Sequence, residues 1–233
     1  MNFLHEQLPL AVQLRDDATF DNFFAGGNGL VLSELRRQLD GGEFYLYLFG
    51  RKGSGRSHLL QAACHEASQR GLAALYLPVD ELLAYNPAEM FDGLLNLSLV
   101  CIDNIESVMG RPEWEEALFH FFNQMKDAGN HLLIAGDCAV RELKTKLPDL
   151  ASRLSWGLVY QLQGLSDEEM IRVLQLRAVQ RGLELSDDVS HFILHRCQRD
   201  MGALMSTLDT LDHASLKQRR RLTIPFVKSI INC

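Results

Sequence analysis

An eight-residue glycine loop between a predicted strand and a predicted helix constrains the fold of this chain more than any other feature. The apolar run Phe44–Phe49 precedes the loop, and a helical pattern from His58 to Arg70 follows it. The loop itself reads Gly50-Arg51-Lys52-Gly53-Ser54-Gly55-Arg56-Ser57. This is the G-x-x-x-x-G-K-[ST] pattern of a phosphate-binding P-loop, with arginine in the place of the lysine.

The residue types in this loop suit a phosphate ligand. Glycines at positions 50, 53 and 55 allow successive backbone N–H groups to curl around phosphate oxygens. The helix that follows adds unpaired N–H groups and its dipole at the same point. Ser57 offers a hydroxyl to Mg²⁺, whereas Arg56 keeps the lysine charge on a longer, planar and forked group. We expect nucleotide binding to survive this substitution better than catalysis; the alternative is a glycine turn that holds no ligand.

A carboxylate at the end of another apolar stretch, Leu97–Asp103, is typical of the same class of site. Asp103 is placed to hold Mg²⁺ at the carboxyl edge of the sheet, as in the Walker B strand of P-loop proteins. ATPases of this type usually carry a second carboxylate at the next position, where it orients the attacking water. That position is Asn104, which cannot accept a proton. Glu106 is nearby, but its direction does not follow from the sequence.

The apolar runs predict an α/β domain up to about residue 163. Five of them are short enough to be strands: 44–49, 73–77, 97–103, 132–136 and 158–162. Helical patterns lie between several of these runs, notably 57–70 and 113–128, and Gly71 and Gly129 follow those two helices where C-terminal glycines belong. Continuous apolar strands that alternate with helices indicate a mainly parallel, five-stranded sheet with both faces covered.

The pattern becomes entirely helical after residue 164. Helices are predicted over 167–181, 187–198, 200–216 and 224–231, with Ser166 and Ser186 as candidate N-caps and Pro225 in the first turn of the last helix. We therefore predict three parts. Residues 1–18 form an N-terminal arm, residues 19–163 form the α/β domain, and residues 164–233 form a small all-helical domain.

Composition excludes several classes of protein. The chain has 23 basic and 30 acidic residues and a net charge of −7, so nothing in its overall charge attracts nucleic acid. The basic cluster Lys217–Arg221 is either a solvated surface or a weak, local DNA contact. Five scattered cysteines without a C-x-x-C pair indicate neither a disulfide framework nor a zinc site. No apolar run is long enough to span a membrane and no signal peptide opens the chain, so we expect a cytoplasmic protein.

Several motifs together resemble the AAA+ ATPases of the bacterial initiator family, the family of DnaA. Thr19-Phe20-Asp21-Asn22-Phe23 is similar to the segment that lines the adenine pocket, which implies roles for Phe20 and Asn22. The stretch from Gly50 to Leu60, including His58, is similar to the P-loop and its helix. Leu132–Asp137 is similar to the sensor 1 strand, with Asp137 in the sensing position. Leu150–Leu158 is similar to the segment that carries the arginine finger, here Arg153.

The resemblance covers the chain from Thr19 to its end, with two departures. Gly202 stands in the lid helix where the family carries the sensor 2 arginine, and Arg199 is a substitute three residues earlier. This favours a retained diphosphate, ADP with or without Mg²⁺, over sensing of a γ-phosphate. The chain leaves no residues after the lid for the helix-turn-helix DNA-binding domain of the family, so we expect none.

For a chain as short as this one, the resemblance implies a regulator and not an initiator. The arm sequence Gln7-Leu8-Pro9-Leu10 resembles a clamp-binding motif, with Gln7, Leu8 and Leu10 entering a pocket of the DNA polymerase III sliding clamp. The resemblance implies that the chain joins the DNA-loaded clamp and makes DnaA hydrolyse its ATP, with Arg153 supplied in trans and little turnover of its own. A homodimer or a mixed oligomer with DnaA is compatible with this role. The alternatives are an active AAA+ loader or motor, a non-catalytic clamp-binding adaptor and, for Arg153 alone, a structural salt bridge.

Overall fold

The computed structural model describes residues 14–197 and 200–231. Its internal contacts divide the chain into two compact units. One unit spans residues 1–50 and 56–162, and the other spans residues 51–55 and 163–233. All the strands of the described chain belong to the first unit.

The first unit is built on a single five-stranded sheet. Its strands are β1 (Tyr45–Phe49), β2 (Ala74–Pro78), β3 (Leu99–Asp103), β4 (His131–Gly136) and β5 (Leu158–Gln161). Their spatial order is β2-β3-β4-β1-β5, and every neighbouring pair is parallel. The predicted α/β class and the five strands are confirmed. Because parallel strands all end at the same edge, the segments after β1, β3 and β4 lie side by side there.

Five helices cross over between or precede the strands of this sheet. They are α1 (Gly29–Gln38), α2 (Arg56–Gln69), α3 (Pro87–Asp92), α4 (Pro112–Asp127) and α5 (Pro148–Leu154). Gly71 and Gly129 follow α2 and α4 with φ of +75° and +70°, the left-handed conformation predicted for glycines at helix ends.

Both faces of the sheet are buried, which explains why its strands are continuously apolar. Tyr45 and Tyr47 of β1 belong to one core cluster, together with residues of α3, α4 and α5. Leu46 and Leu48 point to the other face and belong to a second cluster with residues of α1 and α2. The alternation follows from the period of two residues in a strand.

The first described residues are hydrogen-bonded to α2. The backbone N–H of Arg15 donates to Oε1 of Gln61 at 2.9 Å, and the Arg15 carbonyl oxygen lies 3.0 Å from Nε2 of His65. Residues from Leu14 onward are therefore fixed on the helix that follows the glycine loop.

The described part of the second unit contains four helices: α6 (Asp167–Gln180), α7 (Asp187–Arg196), α8 (Met201–Gln218) and α9 (Ile224–Ile230). Ser166 forms a full capping box with Glu169, as its sequence position predicts. Ser186 occupies the predicted N-cap position of α7, although its side chain makes no capping hydrogen bond. Of the helices in the described chain, none has the length and apolar character that crossing a membrane requires.

Candidate functional site

The glycine loop between β1 and α2 has a backbone that only glycine adopts easily. Gly53 and Gly55 have φ of +81° and +95°, a region where a Cβ atom causes strain. Between them, the N–H of Ser54 donates to the carbonyl oxygen of Arg51 at 3.0 Å and closes a turn. The motif glycines at 53 and 55 are thus explained by the conformation of the loop.

Two buried polar atoms of this loop lack a hydrogen-bond partner within the described residues. They are Oγ of Ser54 and Nη1 of Arg56. Buried donors are rarely left unpaired, because an unmade hydrogen bond costs about 1–3 kcal/mol. Two such donors beside backbone N–H groups fit a site for an anion such as a phosphate group. Arg51 and Lys52 are exposed, whereas Ser57 and His58 are half-buried in the first turn of α2.

The Arg56 guanidinium lies close to Glu106, which follows β3. Nη1 of Arg56 is 3.8 Å from Oε1 of Glu106, and the Arg56 side chain is 11% exposed. Oε2 of Glu106 accepts a hydrogen bond from the backbone N–H of Asp137 at 3.2 Å. Burial raises the pKa of Glu106 above its usual value, and the Arg56 charge opposes that rise. Arg56, Glu106 and the predicted sensor residue Asp137 therefore form one group at the edge of the sheet.

Glu106→Gln is expected to raise the melting temperature at pH 8. Because burial raises the pKa of Glu106 in the folded protein despite the opposing charge of Arg56, the charged carboxylate is less favourable in the folded state than in the unfolded one. This penalty is present above the folded pKa and disappears as the pH falls through it toward the unfolded value. The difference in melting temperature from the wild type should therefore narrow between pH 8 and pH 5. The exposed Glu142→Gln control should show no such trend, and a variant less stable than wild type at pH 8 would contradict the prediction.

Asp103 ends β3 as predicted and is fully buried. Its Oδ2 accepts a hydrogen bond from the Tyr76 hydroxyl at 2.7 Å, and its Oδ1 accepts one from the backbone N–H of Asn104 at 3.0 Å. Asn104 has φ of +57°, and its side-chain amide donates to Asp80 at 2.9 Å. The amide is therefore engaged by a carboxylate and offers no base to a water molecule.

The donor set at this edge fits Mg²⁺ in the manner of nucleotide sites. Among the described residues, no cluster of three or more His, Cys, Asp or Glu side chains is placed to hold a metal ion. Mg²⁺ in nucleotide sites does not need such a cluster, because phosphates and water supply most of its ligands beside one or two protein groups. Ser57 and Asp103 are the protein groups of that kind, and their chemistry suits a hard cation.

The segment predicted to line a base pocket is attached to the start of α2. Nε2 of His58 lies 2.9 Å from the carbonyl oxygen of Thr19, and the His58 ring is 5.6 Å from the ring of Phe23. Phe20 is buried, with the Arg36 guanidinium 5.4 Å from the centre of its ring. Nδ2 of Asn22 donates to the backbone of Asp17 at 3.0 Å. The structure therefore brings the predicted base-binding segment to the helix of the glycine loop.

Arg153 lies in the last turn of α5 and is half-buried. Its guanidinium is 5.9 Å from the centre of the Phe119 ring and 5.8 Å from that of Trp156, which is 55% exposed. Lys126 stacks on the same tryptophan at 3.8 Å. Within the described residues, no carboxylate comes close enough to Arg153 to form an ion pair. The group is held by aromatic contacts and keeps its hydrogen-bonding fork available.

Gly202, which stands where the family carries the sensor 2 arginine, lies in the first turn of α8. Asp200 caps this helix by accepting a hydrogen bond from the N–H of Ala203 at 3.1 Å. Gly202 itself has no side chain with which to contact a phosphate. The suggested substitute Arg199 lies outside the described residues, as do Gln7, Leu8 and Leu10 of the arm.

Three residues of this region were not found by sequence reasoning: Tyr76, Phe23 and Trp156. Tyr76 reaches Asp103 from the neighbouring strand, 27 positions earlier in the chain. No local pattern marks such a pair, because it depends on the register of β2 against β3. Phe23 lies in the segment that resembles the base pocket of the family, and Trp156 lies in the segment that resembles its arginine-finger region. The sequence signal for both was an aromatic residue close to a predicted ligand group.

Several solved structures share this fold. Domain III of the replication initiation protein DnaA from Thermotoga maritima matches with a TM-score of 0.80 and 22% identity, over 95% of this chain and 100% of that chain. AMPPCP-bound DnaA from Aquifex aeolicus matches with a TM-score of 0.72 and 22% identity, over 88% and 71%. The Holliday junction branch migration motor RuvB of Thermotoga maritima matches with a TM-score of 0.70 and 17% identity, over 93% and 72%. The chain therefore has the fold of these proteins, an α/β P-loop domain with a helical lid.

Family models narrow the class further. The model of the bacterial DnaA ATPase domain matches residues 14–161, and the model of the lid domain of Hda matches residues 167–231. The first covers more than half of the chain. This chain belongs to the DnaA-related AAA+ family, and its lid is similar to that of Hda.

Proposed function

We propose that this chain is a nucleotide-bound regulator of replication initiation that makes DnaA hydrolyse its ATP and so prevents re-initiation. It binds the DNA-loaded sliding clamp of DNA polymerase III through Gln7, Leu8 and Leu10. Arg153 is then presented in trans to the γ-phosphate of the ATP in DnaA. An arginine supplied in this way stabilises the charge that develops on the transferred phosphoryl group.

The observation that carries this proposal is that the Arg153 side chain contacts two aromatic rings and, among the described residues, no carboxylate. A structural salt bridge would place a carboxylate beside it, but its described neighbours are the rings of Phe119 and Trp156. Stacking restricts the guanidinium without using its N–H donors, which lowers the entropy lost when it contacts a partner. The exposed Trp156 beside it provides apolar surface for a protein partner.

The chain's own site is proposed to hold ADP. The loop glycines, the unpaired donors of Ser54 and Arg56, and Ser57 and His58 would contact the phosphates, with Gly50, Arg51, Lys52 and Asp137 around them. Phe20 and Asn22 belong to the segment proposed to hold the base. A related DnaA structure contains AMPPCP, which supports an adenine nucleotide. Ser57 and Asp103 would hold Mg²⁺, which neutralises phosphate charge when bound.

Three features support retention of the nucleotide over its rapid hydrolysis. The Asn104 amide is bonded to Asp80 and is not a base. Glu106 is engaged by Arg56 and by the backbone of Asp137, so it is not free to orient a water molecule. Gly202 supplies no positive charge to a γ-phosphate. We therefore propose slow turnover by the chain alone, and hydrolysis in the partner.

The remaining proposals concern the domains, the oligomeric state, DNA contact and the location of the protein. Residues 1–18 would act as the clamp-binding arm, residues 19–163 as the nucleotide-binding domain and residues 164–233 as the lid. A homodimer or a mixed oligomer with DnaA would place Arg153 at a subunit boundary. Arg219, Arg220 and Arg221 are exposed at the end of α8, and their DNA contact is proposed to be weak or indirect, through the clamp. The proposed location is the cytoplasm.

Hydrolysis assays test this function. ATP pre-bound to DnaA is mixed with clamp-loaded DNA, with and without this protein, and the single-turnover rate is measured. We expect a large stimulation that requires the clamp, and little steady-state turnover by this protein alone. Rapid turnover alone would indicate an active ATPase, and clamp binding without stimulation would indicate an adaptor. Either result would overturn the proposal.

The arm makes a separate prediction. Changing Gln7 and Leu8 to alanine is expected to weaken binding to the sliding clamp by about tenfold, since one lost apolar anchor and one lost hydrogen bond are worth about 1–2 kcal/mol. Surface plasmon resonance on immobilised clamp measures this. The exposed Gln69→Ala serves as the control and should bind like wild type. Equal binding by the arm variant would show that the clamp contact lies elsewhere.

A further inference from the structure

The Tyr76 hydroxyl is hydrogen-bonded to Asp103, one of the two residues proposed to hold Mg²⁺. Tyr76 lies in β2 opposite Cys101 of β3, and Asp103 is two positions further along that neighbouring strand. The phenol is 8% exposed and donates to Oδ2 of Asp103 at 2.7 Å. The phenol thus joins β2 to the carboxylate at the end of β3.

This arrangement fixes the orientation of the Asp103 carboxylate. A fully buried carboxylate requires donors, and here each oxygen has one: the Tyr76 hydroxyl and the N–H of Asn104. Each oxygen keeps a second lone pair for a metal-bound water. Without the phenol, the carboxylate would lose its only side-chain restraint among the described residues and could rotate about its terminal bond.

We propose that Tyr76 is a positioning residue for the Mg²⁺ of the bound nucleotide, acting through Asp103. The inference rests on the proposed ADP site and assigns a determinant of its metal affinity. Groups that orient metal ligands from the second sphere typically contribute 10- to 100-fold to metal affinity. The alternative is that the phenol only satisfies a buried carboxylate in the core.

Tyr76→Phe distinguishes the metal-positioning role from the purely structural role, because it keeps the ring and removes only the hydroxyl oxygen. ADP affinity is measured by isothermal titration calorimetry in EDTA, and Mn²⁺ affinity of the ADP complex by electron paramagnetic resonance. In the variant we expect Mn²⁺ affinity to fall by about tenfold or more, while ADP affinity in EDTA changes less than about twofold. Tyr160→Phe in the edge strand β5, which does not pair with β3, is the matched control and should change neither quantity.

The outcomes are distinguishable. Unchanged Mn²⁺ affinity in Tyr76→Phe, with normal ADP binding, would overturn this inference alone. An equal loss of ADP affinity in EDTA and of Mn²⁺ affinity would identify a structural role and overturn it as well. Failure of the wild-type protein to bind ADP at all would overturn the proposed function, and this inference with it.

Discussion

Arg153→Ala is expected to abolish nearly all stimulation of ATP hydrolysis in DnaA. An arginine finger supplied in trans is worth about 10³–10⁵ in the hydrolysis rate, because its fork bonds the transferred phosphoryl oxygens as their charge develops. The side chain makes stacking contacts with Phe119 and Trp156 that contribute only about 0.5–1 kcal/mol each to stability. The variant should therefore fold normally and still bind the clamp.

The measurement is the single-turnover rate of ATP pre-bound to DnaA, with clamp-loaded DNA and saturating amounts of each variant. Arg153→Lys keeps a charge but lacks the planar fork, so it should restore only a small part of the rate. Lys126→Ala is the matched control, since it removes a neighbouring charge that stacks on the same Trp156. Full stimulation by Arg153→Ala would refute the assignment, and equal losses in both alanine variants would attribute the effect to surface charge.

Most of the fold follows from the sequence because the central strands β1, β3 and β4 are buried on both faces. Continuous apolar runs placed all five strands of the described sheet within two residues of their observed bounds. The glycines after α2 and α4 fixed those helix ends, since each adopts a positive φ. The parallel arrangement followed from the alternation of strands with helices, which leaves no hairpins.

The site was predictable where one short segment determines the chemistry. The loop glycines and Asp103 are of this kind, because a tight turn and a strand end are local features. The partner of Arg56 was not predictable. Glu106 reaches it only because β3 and β4 end side by side and the N–H of Asp137 fixes the carboxylate. Tyr76 was missed for the same reason, since its contact with Asp103 spans two strands.

These contacts change the interpretation of Arg56. The sequence presented it as a substituted lysine aimed at a phosphate, with a charge that binding should tolerate. In the fold, Nη1 of its guanidinium lies 3.8 Å from Oε1 of Glu106 and lacks a hydrogen bond within the described residues. The same group can therefore pair with an anion in the loop and keep Glu106 away from a catalytic role.

Gly55→Ala is expected to lower the affinity for ADP by up to about 100-fold. Gly55 has φ of +95°, a conformation that costs a residue with a side chain about 1–3 kcal/mol. Each 1.4 kcal/mol that must be supplied to reach the binding conformation is worth about tenfold in affinity. The added methyl group would also stand among the N–H groups that are proposed to surround the phosphates. Isothermal titration calorimetry with ADP measures the effect directly.

Gly71→Ala is the matched control, because it imposes a similar backbone strain at the other end of the loop helix. Gly71 has φ of +75°, and a Cβ atom there would meet nothing within 4 Å. Its substitution should cost about 1–2 kcal/mol of stability, seen as a lower melting temperature, and leave ADP affinity unchanged. If both variants lost ADP affinity equally, the loss would come from a weakened α2. If Gly55→Ala bound ADP like the wild type, the phosphates would not lie in this loop.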